Sequence, residues 1–156
     1  MKYTRLTKEQ LEALHQEFIN FLATQSITAD EWHTIKKTKP EVAEEELDIF
    51  SDLIWEGVLS KVKALENFSE KSLQLFKCDE DQLLLIAVKI NNNSVNLLTD
   101  EGFEWFKNNL KHEDVEIFTA SKVYSQDKRL DIFKLIQQGS QISDGALFDA
   151  LDKVIS

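Results

Sequence analysis

Four groups of residues have the types and spacing that chemistry could use. Glu12-Ala-Leu-His15 has the Glu-x-x-His interval that puts two metal ligands on one side of a helix. A di-iron bundle needs a second copy and two further inward Glu, and neither His33 nor His112 has a Glu three residues before it. Tyr124 and Lys128, with Ser121 nearby, match the proton-transfer spacing of short-chain dehydrogenases. That chemistry needs a nicotinamide beside it, and the glycine fingerprint that would hold one is missing. Asp79-Glu80-Asp81 lacks the ligand progression and terminal Glu of a calcium loop and reads as a polar turn. Cys78, the single cysteine, can form neither an intrachain disulfide nor a thiolate metal site, and is expected to be a small buried residue in a reducing compartment. No Ser, His and Asp set and no Cys and His set carries a local signature. We therefore assign no catalytic residue, cofactor or metal. Glu12, His15, Tyr124 and Lys128 remain the polar groups of an alternative reading, a small enzyme or ligand-binding protein with its pocket between helices and sheet.

The elements that position these residues follow from composition and period. A chain of 156 residues is large enough to bury roughly 70% of its unfolded surface in one core. Its 42% apolar content is that of a folded chain. Four Gly and one Pro leave almost nothing from which to build a phosphate-cradling loop. A net charge of -10 and only two Arg argue against nucleic acid and anionic membranes as partners. The longest unbroken apolar run, Leu83 to Val88, is too short to span a bilayer, and MKYTRLTKEQLEAL has no signal-peptide core. The expected location is the cytoplasm.

Thr7 and Gln10 have capping-box spacing and predict a helix over Lys8 to Thr24. Thr28 and Glu31 repeat it, with Ile27 and Trp32 placed as a hydrophobic staple, for a second helix ending near Lys37. Pro40 suits the first turn of a third helix, predicted to run to Leu65 with Ala43, Leu47, Phe50, Ile54, Val58 and Leu65 inward. Beyond Asn67 the period shortens. Leu73 to Cys78, Gln82 to Ile90 and Val95 to Leu98 predict a three-stranded meander. Thr99 caps a helix with Phe103, Phe106 and Leu110, and Val115 to Tyr124 is a further strand. Leu130 to Gln138 is a helix stopped by Gly139, and Ser143 opens the last one, with Leu147, Leu151, Val154 and Ile155 inward. The expected fold is α+β, about three N-terminal helices packed with a small, mostly antiparallel sheet and C-terminal helices. We expect one domain over 1–156; the possible subdivision is a helical segment, 1–66, and a mixed α/β segment, 67–156.

The third helix poses the functional question. Seven carboxylates and no Lys or Arg lie between Pro40 and Ser60. Glu41, Glu45, Asp48, Asp52 and Glu56 fall within about 40° of the pole opposite the apolar face. The helix dipole stabilises first-turn acids by about 0.3–1 kcal/mol each, which covers Glu41 but not Asp48, Asp52 or Glu56. Like charges at i, i+4 cost about 0.2–0.5 kcal/mol per pair, while one buried Leu or Phe contributes about 1.5–3 kcal/mol, so the fold tolerates the stripe without explaining it. Solvated faces normally mix signs. We therefore expect a docking face for a basic protein surface, built from Glu45, Asp48, Asp52, Trp55 and Glu56, and a non-enzymatic adaptor or regulatory role.

The stretches YTRLTKEQLEALHQEFINFLATQSITADEW, PEVAEEELDIFSDLIWEGVL and FKLIQQGSQIS resemble a family of small soluble bacterial proteins, a domain of unknown function, some members of which carry a histidyl-tRNA synthetase label. The resemblance spans the whole chain and implies one domain and no mechanism. The chain is far too short for a synthetase catalytic domain and shows no nucleotide-binding constellation.

Overall fold

The computed structural model describes all 156 residues. The chain is α+β, with seven helices and one five-stranded antiparallel sheet, and falls into two compact units, Met1–Ser60 and Lys61–Ser156.

The first unit is helical: α1 (Lys8–Ala13), α2 (His15–Thr24), α3 (Ala29–Thr38) and α4 (Pro40–Leu59). Both halves of the Thr7 capping box form, the hydroxyl accepting from the Gln10 N–H and the Gln10 side chain accepting from the Thr7 N–H. The predicted single helix over Lys8 to Thr24 instead bends at Leu14 (φ -100°, ψ 23°). Hydrogen bonds carry through the bend, Leu14 N–H to Gln10 and Phe18 N–H to the Leu14 carbonyl, and neither Pro nor Gly marks it. Thr28 caps α3 as expected. The core of this unit is Leu6, Phe18, Leu22, Trp32, Ala43 and Phe50. Phe18 meets the edges of Trp32 and Phe50 at 5.1 Å each, the geometry the ring quadrupoles favour.

The second unit contains β1 (Ala64–Phe68), β2 (Ser72–Cys78), β3 (Gln82–Ile90), α5 (Asp100–Asn108), β4 (Val115–Val123), α6 (Lys128–Gln137), β5 (Gln141–Ser143) and α7 (Ala146–Ile155). The strand order is β4-β3-β2-β1-β5. Residues directly opposite share a face, so Leu73, Val88 and Ile117 lie on one side and Leu65, Phe76, Leu85 and Ala120 on the other. The first side carries the main core, Leu73, Leu75, Ile86 and Val88 packed with Phe106 of α5 and Phe148 and Leu151 of α7. On the other side Leu135 of α6 and Gln138 just beyond its end bound a hollow of about 300 Å³ over Phe76, Leu83 and Leu85.

Three expected boundaries are corrected. The third helix stops at Leu59, and Leu65 lies in β1. Leu65 is buried in either assignment, and what decides for strand is non-local pairing, with β2 on one side and β5 on the other. Val58 is 41% exposed rather than inward. Val95 to Leu98 is not a strand: Val95 and Leu97 are buried, but the Asn92 and Asn96 side chains accept from the Ser94 and Leu98 N–H groups and fold the backbone into two turns. Residues at alternate positions thus face inward without a ladder. Ser143 ends β5 instead of opening the last helix, which begins after Gly145, whose φ of 81° a side chain would strain. Val154 of that helix is 52% exposed.

Candidate functional site

The acidic stripe lies on α4, whose position follows from its apolar side. Ala43, Phe50 and Leu59 are buried, and Leu47, Ile54 and Trp55 pack partly against the helical core. Trp55 is half-buried there rather than presented to solvent.

The residues preceding α1 form an arm, 2–6, that lies along the stripe. The Lys2 and Tyr3 N–H groups donate to the two carboxylate oxygens of Asp52 at 2.7 and 2.9 Å. The Lys2 ammonium and the Tyr3 hydroxyl donate to Oε1 of Glu56 at 2.7 and 2.8 Å. Arg5 donates from Nε to Asp48 at 2.8 Å and also pairs with the Glu44 carboxylate and backbone carbonyl. The Leu6 N–H donates at 3.1 Å to Oγ of Ser51, which is fully buried and passes its own proton to the Leu47 carbonyl at 2.7 Å. Tyr3 and Leu6 are buried in this arrangement.

The fit is geometric as well as electrostatic. The chain bends at Tyr3, so that the successive N–H groups of residues 2 and 3 turn to the same carboxylate, and helix positions eight apart, such as Asp48 and Glu56, are separated by about 12 Å. The arm runs opposite to α4, so its bases at 2 and 5 meet acids one turn to either side of Asp52. Burial and then the Glu56 hydrogen bond push the Tyr3 hydroxyl pKa up, and the Glu44 and Asp48 carboxylates raise that of the Arg5 guanidinium.

Of the residues expected to form the docking face, Asp48, Asp52 and Glu56 are therefore gathered under the arm, and Glu45 is exposed. Beside Glu45 on the solvent side stand Ile49 and Leu53, 45% and 54% exposed. The roles of Lys2, Tyr3 and Arg5 are not among the sequence expectations. The bases missing between Lys39 and Lys61 are supplied from within the chain, by Lys2 and by Arg5, one of only two Arg.

The other candidates do not converge. Glu12 and His15 fall on different helices, either side of the Leu14 bend. His15 instead borders a cleft with Phe18, Trp32 and His33, and no three His, Cys, Asp or Glu side chains group as metal ligands. The Tyr124 hydroxyl donates to the Asp79 carbonyl at 2.9 Å, closing the end of the β2–β3 loop, and Lys128 lies 5.3 Å from the Tyr124 ring. Burial raises the Tyr124 pKa and lifts that of Cys78 to about 11, so the thiol stays protonated at neutral pH.

A family model described as a family of unknown function, DUF6495, matches residues 1–156. The chain belongs to DUF6495. No curated protein and no solved structure matches it. The DUF6495 match spans the arm and α4 together, as well as the whole sheet unit. No helix is long and apolar enough to cross a membrane.

Proposed function

We infer that the chain is a non-enzymatic protein-interaction domain in which Asp48, Asp52 and Glu56 of α4, with Glu45 exposed beside them, receive a basic segment of another protein, and in which the chain's own arm competes for that face; Trp55 supports the helix from the core side. The observation that carries this reading is the arm itself. It is a segment of the pattern basic, aromatic, any, basic, apolar, bound through both backbone N–H groups and side-chain charges. Recognition through backbone N–H groups plus charged anchors accepts a partner of the same pattern. A tethered arm acts at roughly millimolar effective concentration, so it holds the face against weak, nonspecific cations and yields to a partner of higher affinity. Ile49 and Leu53, exposed beside the stripe, add apolar area that the arm leaves uncovered.

The test is the fluorescence polarisation of a labelled acetyl-Lys-Tyr-Thr-Arg-Leu peptide. It is measured against the full chain, against an arm-weakened variant (Lys2→Ala with Arg5→Ala), and against an acid-poor variant (Asp48→Asn, Asp52→Asn, Glu56→Gln). The expected order is at least about tenfold tighter binding by the arm-weakened variant than by the native chain, and none by the acid-poor one. The same affinity in all three contradicts the proposal.

One observation favours a second reading, a ligand-binding protein. The hollow between α6 and the sheet, about 300 Å³, is at the lower end of small-molecule pockets and mostly apolar. Tyr124, Lys128, Glu12 and His15 do not line it. A saturable, concentration-dependent rise in melting temperature with a small apolar ligand, lost on filling the hollow by Ala120→Phe, supports that reading.

A further inference from the structure

The two edges of the sheet are unequal. β5 is three residues long, the short edge that discourages pairing, whereas β4 has nine residues and a single neighbour, β3. From Phe118 to Val123 every residue of β4 is exposed, with Phe118 at 56% and Val123 at 79%. The Asn91 N–H donates to the Asp114 carbonyl at 2.7 Å, directly opposite in the β3–β4 register. That bond sets the alternation. Residues 116, 118, 120 and 122 turn their backbone groups toward β3, and 117, 119, 121 and 123 turn theirs outward.

We propose that β4 pairs antiparallel with β4 of a second copy of this chain, about a two-fold axis at Thr119, joining two five-stranded sheets into one. Directly opposite residues in such a pair must share hydrogen-bonding class, so the axis has to pass through a residue, and Thr119 is the one that pairs the whole strand. The outward groups of Ile117, Thr119 and Ser121 then meet Ser121, Thr119 and Ile117 of the second copy. The register does more than align backbones. Glu116 falls opposite Lys122 of the second copy, twice per dimer, and Phe118 falls opposite Ala120. These are the non-hydrogen-bonded pairs, in which side chains approach most closely. Within one chain Glu116 already lies opposite Lys89 of β3, so the second copy's Lys122 completes a basic-acidic-basic row across the joined sheet. Ala120 borders the apolar hollow beneath α6, and Phe118 of the second copy is brought to its open side.

A lysine and a glutamate on an edge strand also serve to prevent association, and charge exchange separates the two roles. Sedimentation velocity of the full chain over a wide concentration range is expected to show a monomer–dimer equilibrium. K122E sets Glu opposite Glu at two places and E116K sets Lys opposite Lys, so each weakens the dimer by about tenfold or more. The double exchange E116K/K122E restores native affinity. Both positions are exposed, and circular dichroism confirms that the variants keep the native fold. A native chain that is monomeric at every concentration overturns the proposal. So does a dimer indifferent to either single exchange, or a double variant no stronger than the singles.

Discussion

At the scale of single residues, two glycines show how position decides the sign of one substitution. Gly57 lies in α4 with nothing within 4 Å of the place a Cβ would occupy, so Gly57→Ala is expected to stabilise the chain by about 0.5–1 kcal/mol through reduced unfolded-state entropy and better helix propensity. Gly102 is buried in the first turn of α5, where an added Cβ would stand 1.8 Å from the Asn96 carbonyl oxygen. Gly102→Ala therefore forces backbone apart and is expected to cost more than the usual 1–3 kcal/mol of overpacking, roughly 3 or above. Thermal or urea unfolding of the two variants measures both, and a destabilised Gly57→Ala or a neutral Gly102→Ala would contradict these contacts. The same α5 turn explains why Thr99 is readable from sequence as a cap: its hydroxyl accepts the Gly102 N–H at 3.0 Å, a purely local bond.

At the scale of elements, the arm and α4 hold together through contacts of unequal worth. Arg5 and Asp48 are each about one-third exposed, so solvent screens their pair and Arg5→Gln is expected to cost no more than about 1 kcal/mol, less at high salt. Asp52 accepts two backbone N–H groups, and Asp52→Ala is expected to cost about 1–3 kcal/mol with little salt dependence. Chemical denaturation at two salt concentrations distinguishes the two, and equal losses with equal salt slopes would show that the arm is held by charge alone. The legibility of the fold divides along a related line. Caps at Thr7, Thr28 and Thr99, the strand Gln82–Ile90 and the stop at Gly139 rest on residues a few positions apart, and the sequence shows them directly. β1, β5 and the turns at Asn92 and Asn96 depend on partners far along the chain or on side-chain bonds that imitate alternation. The candidate site is half legible. The stripe is a helical period, but its occupant is joined to it by contacts across some fifty positions, from Lys2 to Asp52 and Glu56, which no local pattern encodes.

At the scale of the whole molecule, protonation links the sheet unit to pH. Burial raises the Cys78 pKa from 9.0 to about 11 and raises that of Tyr124, so the folded state holds both protons more tightly than the unfolded chain does. Their stabilising contribution is complete below the unfolded thiol value and is lost as pH climbs from about 9 toward 11. Melting temperature is expected to fall across that window, and Cys78→Ala to make the fall shallower; an equally steep fall without the thiol would mean that other groups drive it. The central claim is that the acidic face of α4 is a receptor for backbone N–H groups and basic side chains, filled here by residues 2–6. Amide hydrogen exchange at Tyr3 and Leu6 tests it most directly. The account predicts both amides protected far beyond random-coil rates in the native chain, with Tyr3 returning to those rates in Asp52→Ala, which removes both acceptor oxygens. Random-coil exchange at both positions in the native chain would contradict it.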